Sequence, residues 1–181
     1  EVATAMDDHR LFQVSTLADN DPNQAAEIAA SIKDPGRKAV AQAILIPAYD
    51  RIDSQKAADW RQGAHGELDR LPPGKIKLKL LVALANATLA EGKHELALGL
   101  FNKAFDLGQM LFSEDLKENP GKMAYTAEGE EELAALVTDF CKESKVRATV
   151  VGQIRDVRND VLKAKLLVAA AKGTLSPVSY T

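Results

Sequence analysis

The 181-residue sequence predicts an all-α protein of antiparallel helical hairpins stacked as a short α-solenoid. Three observations predict it. Apolar residues recur at spacings of three and four along most of the chain. Residues that open and close helices punctuate it at regular intervals. Alanine occurs 29 times while aromatics make up only 5% of the residues. Small side chains favour closely packed helices, whereas sandwiches and barrels draw on more Val, Ile, Thr, Tyr and Phe.

The elements follow in order. Leu17, then Ala25, Ile28 and Ala29, belong to two short helices flanking the turn Asn20-Asp21-Pro22. Asp21-Pro22 and Asp34-Pro35 each put a capping Asp before a Pro at the first helical position, where the missing N–H is not needed. Ala39, Ala43, Ile44 and Ile46 mark a third helix, which Pro47 should kink or end. A fourth spans 54–71, with Ala57, Trp60, Ala64 and Leu68 on one face. The break Pro72-Pro73-Gly74 precedes the clearest pair, 75–90 and 93–110, with Gly92 at the turn between them.

Asn119-Pro120-Gly121 then opens the longest loop, expected over 112–126 and containing Tyr125. Leu133, Leu136, Val137, Phe140 and Cys141 mark a seventh helix, whose acidic start at Glu128, Glu130, Glu131 and Glu132 suits the positive end of the helix dipole. Helices over about 145–157 and 160–172 bring the total to about nine, with Gly173 at the expected end of the last. Two stretches compete with this reading. Lys75 to Leu80 alternates with period two, and Val146 to Ile154 is rich in β-branched residues, so the two together could form a small sheet.

Net charge is −3 with both signs interspersed, which provides no basic field for a nucleic-acid backbone. The longest apolar run, from Leu78 to Ala90, is too short to span a bilayer and contains Asn86 and Thr88. Cys141 is the only cysteine and reads as a small buried hydrophobe. Glu1 in place of Met favours an exported, processed chain, with an excerpt of a longer chain as the other reading.

Leu81, Leu84, Ala85, Gly92, Ala97, Phe101 and Ala104 together resemble a tetratricopeptide hairpin, over about residues 78–110. Leu84 and Ala85 match the leucine and small residue of that family's first helix, and Ala97, Phe101 and Ala104 match the small–aromatic–small series of its second. Thr88 and Gln109 depart from it, standing where an aromatic and a proline are usual. A looser HEAT-like stack is the alternative. The resemblance implies a concave groove lined by first helices, and in this chain Lys79, Val82, Asn86 and Leu89 would face it. Asn86 stands where such domains often carry an asparagine that binds a peptide backbone. Val82 replaces the lysine of a carboxylate clamp. Trp60 and Phe105 are further candidates for exposed anchors, with burial between hairpins as the other reading.

Little in the sequence suggests chemistry. His9, His65 and His94 are dispersed, and no HExxH or CxxC pattern occurs, so no metal or cofactor is expected. Adjacent Asp7, Asp8 and His9 point in different directions on a helix and read as a solvated face. The expected function is therefore a non-catalytic scaffold that holds a protein or peptide partner in a helical-repeat groove, in one domain over 1–181. One alternative is a structural subunit of a homo-oligomer, larger assembly or filament, with exposed apolar patches on its terminal helices. The other is an enzyme whose site is assembled from distant residues.

Overall fold

The computed structural model describes residues 2–119 and 127–176. Among them nine α-helices follow one another and no strand forms: α1 (Val2–Leu17), α2 (Pro22–Ser31), α3 (Pro35–Ile52), α4 (Ser54–Arg70), α5 (Lys75–Ala90), α6 (His94–Glu118), α7 (Glu130–Lys142), α8 (Ser144–Arg155) and α9 (Asp160–Leu175). None is long and apolar enough to cross a membrane.

The caps form as the sequence predicts. The carboxylates of Asp21 and Asp34 accept the backbone N–H groups of Gln24 and Arg37 at 3.0 and 2.7 Å. Asp53, one residue before the expected start at Ser54, caps α4 through the N–H of Lys56. Gly92 takes φ 73° at the α5–α6 turn, a left-handed conformation that costs a side-chain-bearing residue energy.

The odd-numbered helices form one row and run parallel. Asp8 on α1 meets Arg37 near the start of α3, and Gly36 on α3 lies beside Ile76 at the start of α5. Lys75 and Asn86, at the two ends of α5, meet Glu132 and Asp139 at the corresponding ends of α7. Glu130 and Thr138 of α7 likewise meet Lys165 and Ala169 of α9. The even helices return antiparallel between them, so the chain climbs by hairpins, as helices do in a solenoid. The core runs without interruption from Leu11 and Val14 through Leu45, Leu80, Leu84 and Phe101 to Leu136, Ile154 and Leu166.

Several expectations are corrected. Lys75 to Leu80 is helical: α5 packs against α3, α6 and α7 on nearly every side, so its apolar residues need not keep to one stripe. Val146, Val150 and Ile154 are the buried residues of α8, and their spacing of four is that of a helix face rather than a strand. Pro47 does not end α3, which runs five residues further to Ile52. Burial of Leu45, Ile46 and Tyr49 around it outweighs the one ladder bond that Pro removes.

Helix α6 also runs on, eight residues past Met110 to Glu118, because Leu111 and Phe112 bury against the core. The expected loop therefore begins at Asn119, and its residues 120–126 lie outside the described residues. Gly173 lies inside α9 rather than at its end. Its bare Cα lets the helix rest on α7, where a methyl group would overlap the carbonyl oxygen of Thr138. Cys141 is buried beside this contact, and burial pushes its thiol pKa up.

Candidate functional site

The row of parallel odd helices turns one common face to solvent, and that face is hollow. Leu11 and Phe12 of α1, Val40 and Ile44 of α3, and Val82 and Ala83 of α5 line a hollow of about 440 Å³, closed on its far side by Ala135 of α7. Ala135 also borders a second hollow of about 430 Å³ between α7 and α9, edged by Ala134, Ala164 and Val168. The two have Ala135 as a common wall, the first bordered by α1, α3, α5 and α7 and the second by α7 and α9.

Three of the four residues expected at the groove meet there. Lys79, Val82 and Asn86 all line the first hollow, because positions 79, 82, 83 and 86 fall on one side of α5. Leu89 falls on the same side but one turn further on, half-buried against the core and beyond the hollow's end. Asn86 is tied to α7: its Nδ2 donates to Asp139 Oδ2 at 3.1 Å, and Asp139 Oδ1 pairs with Lys142 at 2.7 Å. The other amide atom, Oδ1, is buried and has no hydrogen-bond partner among the described residues. An acceptor so placed is one a native fold seldom leaves unpaired.

The polar rim is largely matched within the molecule. Asp8 takes both Nε and Nη2 of Arg37, at 2.7 and 3.3 Å. This hydrogen bonding holds the Asp8 carboxyl below its ordinary value, with smaller contributions from the charges of Lys79 and Lys75. It also raises the Arg37 guanidinium above its own ordinary value. The acidic start of α7 is divided among neighbours, with Glu132 facing Lys75 at 3.7 Å and Glu130 facing Lys165 at 2.8 Å. Glu131 is exposed at the hollow's edge.

The aromatic at the groove is one the sequence reading passed over. Phe12 is 69% exposed on the wall of the first hollow. Its signal was available: Asp7, Leu11, Val14 and Ala18 form the inward stripe, and Phe12 lies off it. Phe105 is buried and stacks on Phe101 at 5.3 Å. Trp60 is half-buried against Tyr49, ring centroids 4.6 Å apart, with the Lys56 ammonium over both rings. Neither supplies an exposed anchor.

Asp7 also departs from the expected solvated face. It is buried and accepts the backbone N–H groups of Lys33 and Asp34 at 3.1 and 2.9 Å, and Arg10 at 2.9 Å. It thereby fastens α1 to the α2–α3 turn. Among the described residues no group of three His, Cys, Asp or Glu side chains gathers as metal ligands. No family model, curated protein or solved structure matches this chain.

Proposed function

We propose that the protein is a non-catalytic interaction scaffold whose groove of odd-numbered helices receives a segment of a protein partner. The observation that carries this reading is the exposed Phe12 standing over a floor of Leu11, Val40, Ile44 and Val82. An aromatic held in the open beside an apolar hollow is the kind of group around which binding energy concentrates. The α5–α6 hairpin, with its tetratricopeptide-like spacing, supports the same reading, since such stacks bind partners on this face. The rim, with Lys79, Glu131 and the Asp8–Arg37 pair, offers both signs of charge to fix a partner's register.

Panning a random peptide display library against the immobilised protein tests the proposal. Enriched peptides should be amphipathic, and Phe12→Ala and Val82→Arg should each weaken their binding at least about tenfold. Phe12→Ala should leave the melting temperature nearly unchanged, since an exposed side chain contributes about 0.5 kcal/mol or less to stability. Failure to enrich any peptide, or enriched peptides indifferent to both substitutions, would overturn the groove as the binding site.

A second reading has its own observation. Apolar side chains are exposed on both terminal helices, Val2 and Met6 on α1 and Val161, Leu167, Val168 and Leu175 on α9. This is the pattern expected of a subunit that stacks with a neighbour.

A further inference from the structure

The hollow beside Phe12 presents more hydrogen-bond acceptors than the described residues answer. Its lining carries three carboxylates, Asp8, Glu131 and Glu132, against one ammonium, Lys79. Arg37 answers Asp8 at 2.7 Å. Glu131 is exposed and has no hydrogen bond or ion pair among the described residues. Glu132 is only 8% exposed, and the one cation facing it, Lys75, stands 3.7 Å away, beyond hydrogen-bond length. At the hollow's other end the buried Oδ1 of Asn86 lacks a donor as well. The Ser15 hydroxyl is already given to the carbonyl of Leu11. Lys79 is then the one lining side chain with donors to spare, and its charge acts on Asp8.

A carboxylate as far from water as Glu132 is costly unless it is both paired and hydrogen-bonded. The positive start of α7 favours acidic side chains, but not their turning toward an apolar hollow. The surplus of acceptors calls for an occupant that brings donors and positive charge. Arginine fits on each count. Its guanidinium carries five N–H donors and no acceptor, and it lies flat against aromatic rings. Its stem packs along apolar walls. The hollow has a place for each part: Leu11, Val40, Ile44 and Val82 for the stem, Phe12 for the plane, Glu131 and Glu132 for the donors. An acidic side chain would instead meet a lining of the same sign.

We propose that the partner segment received by this groove carries an arginine whose side chain enters the hollow and ends on Glu131 and Glu132. The proposal rests on the groove reading and adds the residue that the groove selects. Glu131 and Glu132 are then its specificity determinants, and Phe12 is the wall on which the guanidinium or its stem packs.

Three peptide display libraries provide the test, identical in their random flanks and differing only in a fixed central arginine, glutamine or glutamate. Panned against the immobilised 181-residue chain, the arginine library should enrich at least about tenfold over the other two. An enriched peptide remade with citrulline, which keeps the shape of arginine without its charge, should bind the wild type at least about tenfold more weakly. That loss should nearly vanish in the double variant Glu131→Gln and Glu132→Gln, a coupling that a merely structural role for Glu132 would not produce. Glu131→Gln alone should show part of the same coupling with an unchanged melting temperature. Because Glu131 is exposed, this single variant decides the matter if Glu132→Gln disturbs α7. Equal or greater enrichment of either other library, or a citrulline loss undiminished in the Gln variants, would overturn the arginine proposal. The groove reading would survive that result if the peptides still lost binding in Phe12→Ala. Peptides indifferent to Phe12→Ala and Val82→Arg, or none from any library, would overturn the groove reading and this proposal with it.

Discussion

Asp7 and Asp8 are neighbours in sequence with opposite surroundings, and the difference is set by which way each points on α1. Asp8 lies at the groove rim in a partly exposed pair with Arg37, while Asp7 turns inward to the backbone N–H groups of Asp34 and Lys33. The bond from Asp34 is the main reason the Asp7 carboxyl is held below the ordinary aspartate value of 3.8. A carboxyl with a depressed folded pKa contributes stability above its unfolded value and loses it as pH falls through the folded one. Arg37, raised from an already high value, contributes nothing to pH dependence in the acid range. Thermal melts taken from neutral pH downward should therefore show stability falling below about pH 4. In Asp7→Asn the melting temperature should be lower at neutral pH and the acid fall shallower. An Asn variant with the wild-type acid profile would show that Asp7 is not the group responsible.

At the scale of single helices, two glycines with the same helical propensity should respond oppositely to alanine. Gly173 sits where α9 touches α7, and an added methyl would strike the Thr138 carbonyl oxygen. Gly173→Ala should destabilise the fold by about 1–3 kcal/mol, the usual range for overpacking, with urea unfolding as the measure. Gly152, on α8, has nothing within 4 Å of the same position. Gly152→Ala should stabilise by about 0.5–1 kcal/mol, because only the backbone entropy term remains. Equal effects of the two changes would mean that the α7–α9 contact is looser than the structure shows. Pro47 makes the same point from the other side. Propensity places a break there, and the burial of Leu45, Ile46 and Tyr49 carries the helix through it.

For the whole molecule, the question is whether the nine helices of the described residues unfold as one body. A solenoid couples nearest neighbours, so long arrays lose cooperativity. Here the core is one connected cluster from Leu11 to Ala170, spread over a short stack. The only tryptophan, Trp60, reports on the α3–α4 hairpin through its contact with Tyr49. Its fluorescence change on urea unfolding should coincide with the loss of far-UV helical signal. Separate midpoints would show that the α3–α4 hairpin melts apart from the rest.

The sequence by itself determined the helices, because local signals specify them: Asp21 and Asp34 as caps, Gly92 at a left-handed turn, and apolar spacing of three and four along α2, α4 and α7. It also placed Lys79, Val82 and Asn86 on one side of α5, since that follows from 3.6 residues per turn. Only the tertiary structure decided which sides meet. Lys75–Leu80 resembled a strand because α5 is enclosed on nearly all sides and its periodicity is lost. Leu89 shares the side but not the hollow, because the hollow's length is set by α1 and α7. Asp7 is buried and Phe12 exposed because α1 docks on a turn 26 residues away, a contact no local pattern encodes. Helices are written in short-range hydrogen bonds and side-chain spacing, whereas a groove exists only once distant helices have packed beside one another.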